Sequence, residues 1–260
     1  MTTTASVLLR PRYAPSTAPR RGNRSTFVSP IAAAPQPALL GAAAAALSGA
    51  FLTMIYLHAI SVGELSPMST TVSDLTFVDG MGWLFAVSTG LLALASLAVT
   101  RALARTGLPG GRLITGVLGL WCVGLIVAAV FPTDPIGDPL TLVGEIHRYA
   151  GATMYVSLPV AGWLVHLGSR TVASWDSYRG AVRTLSLASA GFGVLFLLSS
   201  APSLFPGTPM ADLFGDQLIH GLVERVLILS LFGLLLAIGV GAGRAGRAGR
   251  AGSGGRGLPA

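Results

Sequence analysis

Six stretches of this chain, roughly 38–60, 82–100, 112–131, 148–167, 183–201 and 219–241, each run close to twenty residues with charges only near their ends, apart from Glu224 and Arg225. About twenty residues of helix cross the ~30 Å of hydrocarbon in a bilayer. A segment in lipid must also satisfy its own backbone groups, which makes each stretch a helix rather than an open strand. The fold class that follows is all-α: a polytopic membrane protein with six transmembrane helices in three hairpins. Composition agrees, because the chain is 52% hydrophobic and only 10% charged over 260 residues. A soluble domain carries about 25% charged residues, so too few remain here to cover a water-facing surface. The single cysteine, Cys122, lies within an apolar run and excludes an intrachain disulfide or a thiolate zinc site.

The ends differ from the middle. Residues 1–37 are rich in Arg, Pro, Ser and Thr with no acidic residue, and are expected to be a disordered cytoplasmic tail. Residues 38–242 form the six-helix domain, and 243–260, a Gly-Arg-Ala repeat, are expected to be a second disordered tail. The first apolar run continues to Ile60, well past a 7–15-residue signal core, so it is expected to stay as a helix.

The net charge of +7 is an orientation signal. All 17 basic residues are Arg. Fifteen of them lie in the two tails and in the second and fourth loops (Arg101, Arg105, Arg112, Arg170, Arg179 and Arg183), which share one side if there are six spans. The positive-inside rule therefore puts both termini in the cytoplasm, as in a multi-pass protein of a bacterial inner, cytoplasmic membrane. Nine of the ten carboxylates collect on the opposite side, Asp176 being the exception. Insertion does not demand that bias, so the outer side is where a function is sought. Partners follow from the same layout. The lipid bilayer surrounds the helices, and anionic lipids can be drawn to the Arg tails. Nucleic acid is excluded, since neither tail is a folded basic domain with interleaved aromatics. The oligomeric state is open: Gly41, Ala45 and Gly49, like Gly233, Ala237 and Gly241, form small-residue faces that suit close packing within the bundle or between copies.

Two hairpins echo each other. Phe131-Pro132-Thr133-Asp134-Pro135 and Phe205-Pro206-Gly207-Thr208-Pro209 each follow an apolar run, and each leads to an Ile-His pair, Ile146-His147 or Ile219-His220. Proline stops a helix by removing a donor. The echo is either a repeated hairpin or the coincidence of a common stop.

The chemistry-bearing residues are Asp74, Asp134, His147, His220, Glu224 and Arg225, a candidate polar cluster on the outer side. His220 and Glu224 stand four apart, on one helix face. Glu224 and Arg225 fall inside a span, where polar side chains are costly and must be paired; Asp134 and Glu145 are the expected partners of Arg225. His147, His220 and Glu224 offer the donor types of a divalent metal, although no paired metal signature accompanies them. Three classes stay open. The first is an uncharacterised membrane protein whose cluster is structural or ligand-binding. The second is a metal- or acid/base-dependent enzyme acting on lipid or envelope precursors. The third is a small-solute or proton-linked transporter.

Several of these residues also carry a resemblance. Ser73-Asp74-Leu75, Phe131-Pro132-Thr133-Asp134, Ile146-His147 and Gly221-Leu222-Val223-Glu224-Arg225 resemble the pattern of a bacterial integral-membrane family known as domain of unknown function 998, over about 45–240. The resemblance implies six helices and points to Asp74, Asp134, His147, Glu224 and Arg225 as characteristic positions. It implies no particular activity, and both basic tails lie outside it.

Overall fold

The computed structural model describes residues 36–135, 138–200, 207, 209 and 219–254, with side chains through 248. The stretch 1–35, the Phe205-Pro206 stop expected from sequence, and Asp212 and Asp216 lie outside the described residues. Among those described there is no strand, and six helices are long and apolar enough to cross a membrane. They are α1 (Gln36–Ile60), α2 (Trp83–Ala104), α3 (Gly111–Val130), α4 (Leu142–Gly168), α5 (Asp176–Ser199) and α6 (His220–Gly254). A short 3-10 turn, Ser73–Phe77, sits in the loop between α1 and α2.

Helix boundaries follow capping chemistry more than hydropathy. The third helix ends at Val130, with Phe131 extended ahead of Pro132, as the Phe-Pro stop implies. The fourth starts at Leu142, six residues before the apolar run, because Thr141 caps it by accepting from the Gly144 N–H at 3.2 Å. His147 therefore sits in the second turn instead of opening the helix. Similarly, α5 starts at Asp176, an acidic residue favoured in a first turn.

The sixth helix does not end at 242, where hydropathy ends the membrane domain. It runs on to Gly254, through all three Gly-Arg-Ala units at 243–251. Extending an existing helix is far easier than nucleating one, and Ala and Arg are good helix formers. The continuation is also packed near its start: Gln36 Nε2 donates to the Ala242 carbonyl at 2.9 Å, and Gly246 lies against the Gln36 side chain.

Each helix packs on the next, and α6 also touches α1, α2 and α4. Leu227, Leu231, Leu234, Leu235 and Ile238 of α6 are all buried, and with Leu118, Leu125 and Leu158 they fill the centre. Lipid tails are as apolar as these side chains, so close fit and interhelical hydrogen bonds hold the bundle. The small face of α6 is used for that fit: a Cβ on Gly241 would strike the Trp175 ring, and one on Gly233 would touch Leu185 at 3.4 Å. On α1, Gly49 lies close to Leu91 whereas Gly41 has open space beside it. Hydroxyls tie helices together where they reach across. Ser88 donates to the Ala50 carbonyl at 2.8 Å, Ser189 and Ser230 meet at 2.8 Å, and Trp121 Nε1 donates to Ser96 Oγ at 2.7 Å.

The two ends of the bundle carry opposite charge. Gly168 abuts the Pro109 carbonyl, Trp175 abuts Gly241, and Arg244 lies over the Tyr178 ring at 5.0 Å. These contacts gather Arg112, Arg170, Arg179, Arg183 and Arg244 at one end, with Asp176 paired to Arg179.

Ser96 also donates to the Leu92 carbonyl, so it serves as both acceptor and donor. Ser96→Ala leaves the buried Trp121 N–H unpaired. The expected loss is about 1–3 kcal/mol, read as a lower melting temperature in detergent, with tryptophan fluorescence shifted.

Candidate functional site

At the other end of the bundle the α1–α2 loop folds over the start of α6. The first N–H groups of a helix have no partner within it, and here the loop supplies one: Leu222 N–H donates to the Met68 carbonyl at 3.0 Å. Gly221 makes this approach feasible, since a Cβ there would collide with the Thr70 carbonyl. The same carbonyl accepts from Arg225 Nη1 at 2.7 Å, and Nη1 also reaches the Gly221 carbonyl at 2.9 Å. On its other side Arg225 Nε donates to His58 Nε2 at 3.0 Å. His58 Nδ1 lies 2.8 Å from the Met54 carbonyl and must donate to it, which leaves Nε2 as the acceptor that Arg225 needs.

Glu224 is 4% exposed, and both its oxygens are engaged. The Tyr155 hydroxyl of α4 donates to Oε1 at 2.6 Å, and the Val72 N–H of the loop donates to Oε2 at 2.5 Å. One carboxylate thus joins α4, α6 and the loop. Asp74 holds the loop from within: its Oδ2 accepts from the Thr71 N–H at 2.6 Å and the Thr71 hydroxyl at 2.7 Å. It lies within electrostatic reach of Arg225 and His147. Burial pushes the Asp74 carboxyl above its usual range, despite the Thr71 bonds and Arg225, which act in the opposite direction.

The six residues picked out by sequence fall into three groups. Asp74, Glu224 and Arg225 come together around the loop. His147 and Asp134 belong to the α3–α4 corner. There His147 Nδ1 donates to the Phe131 carbonyl at 2.7 Å, and the ring packs near Phe85. Asp134 accepts from Thr141 N–H and Oγ1, both at 2.7 Å, and these bonds, led by the backbone one, hold its carboxyl below the usual range. Its side chain occupies the space that a Cβ on Gly144 would need. His220 belongs to α5: Nδ1 lies 2.8 Å from Ser199 Oγ, and the ring stacks on Phe196 at 4.5 Å. Two pairings expected from sequence are therefore replaced. Arg225 is satisfied by His58 and two carbonyls instead of Asp134 or Glu145, because Asp134 is committed to the start of α4. His220 and Glu224 share a helix face but have different partners, since His220 opens the helix beside α5 while Glu224 turns to α4 and the loop.

Sequence reasoning did not reach Tyr155 or the backbone donors of the loop. Tyr155 was the detectable one: a phenol inside an apolar span needs a partner, and Glu224 was the available acceptor. Among the described residues no group of three or more His, Cys, Asp or Glu side chains is placed to hold a metal ion. The donor atoms of His147, His220 and Glu224 are turned to separate partners.

A family model described as "Protein of unknown function (DUF998)" matches residues 42–241, from the first turns of α1 to the middle of α6. No curated protein and no solved structure matches the chain.

Asp74 provides a pH test. A carboxyl whose folded-state pKa is raised contributes stability that is present in acid and is lost as pH rises through the folded value. Asp74→Asn keeps an acceptor for Thr71 and cannot ionise. Melting temperatures measured from acid to neutral pH are expected to converge in acid, with the asparagine variant gaining relative to the parent as pH rises.

Proposed function

The chain belongs to the DUF998 family, and we propose that it is a multi-pass membrane protein whose outer end is closed by a polar lock, with the α1–α2 loop as the lid. The observation that carries this is the Glu224 carboxylate, bonded at one oxygen to a helix and at the other to the loop. Arg225 reinforces it by clamping Thr70. A lid that lifted would present a carboxylate and a guanidinium side by side, which suits a small ion or zwitterion. That supports binding over bond cleavage. The metal- or acid/base-dependent enzyme on lipid or envelope precursors needs converging donors, and those here are each bonded elsewhere.

The lock is assigned to the extracytoplasmic face, with both termini in the cytoplasm and three hairpins through a cytoplasmic membrane. Support comes from the gathering of arginines at the opposite end and from an even number of spans. A second reading, proton-linked transport, rests on Glu224 itself, because ionisable groups within spans often mark ion paths.

In a Cys122→Ser background, Val72→Cys places a thiol at a buried position of the lid; Val72 is 3% exposed. An impermeant maleimide applied to intact cells should label it slowly. Adding Glu224→Ala removes the acceptor of two hydrogen bonds, each worth about 0.5–3 kcal/mol. Labelling should then become fast, from outside only, while α-helical circular dichroism is retained. Unchanged labelling would sink the lock. Proton flux in proteoliposomes that disappears in Glu224→Gln, with the lid still protected, would favour transport instead.

A further inference from the structure

The outer lock leaves a different surface unexplained, on the lipid-facing side of α3 and α4. Two shallow cavities of about 260 and 280 Å³ lie end to end there and share Thr153 in their walls. Their other walls are almost wholly aliphatic, among them Val117, Leu120, Val156 and Val160. Thr153 and Ser157 turn their hydroxyls to carbonyls of their own helix, at 2.8 and 3.4 Å, so the groove presents little polarity.

Both walls lead to an arginine. On α3, Leu120 and Val123 lie eight and eleven residues beyond Arg112, on the same helix face. On α4, Val160, Trp163 and Leu167 share one face, and Arg170 follows in the 3-10 turn Ser169–Thr171 just past the helix end. Trp163 and Leu167 are exposed, at 38% and 40%, and a tryptophan at that depth suits the membrane–water interface. The Pro109 carbonyl against Gly168 brings the two arginine-bearing turns side by side. Arg112 and Arg170 are both exposed, and neither belongs to an ion pair among the described residues. With a helical rise of ~1.5 Å per residue, the inner cavity begins ~7.5 Å above Arg112, at Val117, and ~15 Å above Arg170, at Val160. One leaflet of hydrocarbon is about 15 Å deep, half the thickness of the bilayer core.

We propose that the α3–α4 groove is a binding site for one anionic phospholipid of the arginine-side leaflet. An acyl chain lies along Val117, Leu120, Val156 and Val160, and the phosphate is held between Arg112 and Arg170. The groove supplies an apolar slot for the distal part of an acyl chain, and the arginines supply positive charge where that leaflet's headgroups lie. This site is independent of the outer lock.

The test uses the purified full chain, delipidated in detergent, with native mass spectrometry and thermal melting. Phosphatidylglycerol and phosphatidylcholine of identical chains are the probes. The expected result is one retained phosphatidylglycerol and a preference over phosphatidylcholine. The Arg112→Gln/Arg170→Gln variant should lose that preference by roughly 30-fold, taking ~1 kcal/mol for each arginine near the surface. Both arginines are exposed, so the variant should fold as the parent does. Gly116→Leu places a side chain on the Arg112–Leu120 face, where an added Cβ meets nothing within 4 Å; it should weaken retention of both lipids with the arginines intact. Equal binding of the two lipids by the parent chain would overturn the headgroup assignment, as would an undiminished preference in the double variant. Stabilisation by glycerol phosphate alone, or unchanged retention in Gly116→Leu, would overturn the groove. So would a lipid-free dimer that Gly116→Leu dissociates, since the occupant would then be a second copy of the chain.

Discussion

A carboxylate buried among apolar helices must find donors, and much of one end of this bundle is arranged around that need. Glu224 takes one donor from α4 and one from the backbone of a loop. Removing either partner would leave a buried carboxyl oxygen unsatisfied, which is why such groups are retained only in well-formed networks. The consequences spread outward. The loop must pass close enough for Val72 to reach, so residue 221 has no side chain. The Thr70 carbonyl then falls beside Arg225, and His58 completes the guanidinium's bonding from α1.

The same economy explains why the histidines do not form one centre. Each of His58, His147 and His220 sits near the start or end of a helix and turns to a partner close by. His58 and His147 each donate from Nδ1 to a carbonyl, and His220 engages Ser199. Their common location near helix ends makes them look like a ligand set in one dimension. In three dimensions each belongs to the corner beside it.

The bundle is also polarised along its axis. Arginines gather at one end around the Gly168–Pro109 and Trp175–Gly241 contacts, and carboxylates dominate the other. The lock and the groove occupy different parts of this gradient. Glu224 and Asp74 work at the acidic end, where the loop shields them, while Arg112 and Arg170 remain exposed at the basic end.

The sequence by itself determined the membrane, the helical class and the six spans, because lipid imposes one rule on every segment and that rule is written in residue type and run length. It also marked Glu224, Arg225 and Asp74, since charge inside or beside a span is conspicuous in one dimension. Helix starts were less legible: Leu142 precedes its apolar run because the Thr141 cap sets that start, and Asp176 precedes its run as an acidic first-turn residue, neither of which hydropathy marks. What only the tertiary structure decided was partnership. Tyr155 lies 69 residues from Glu224, and Val72 lies 152 residues away. The donor at Val72 is a backbone N–H, a group every residue but proline carries, so its choice depends on how the chain is folded and leaves no mark on the residue sequence.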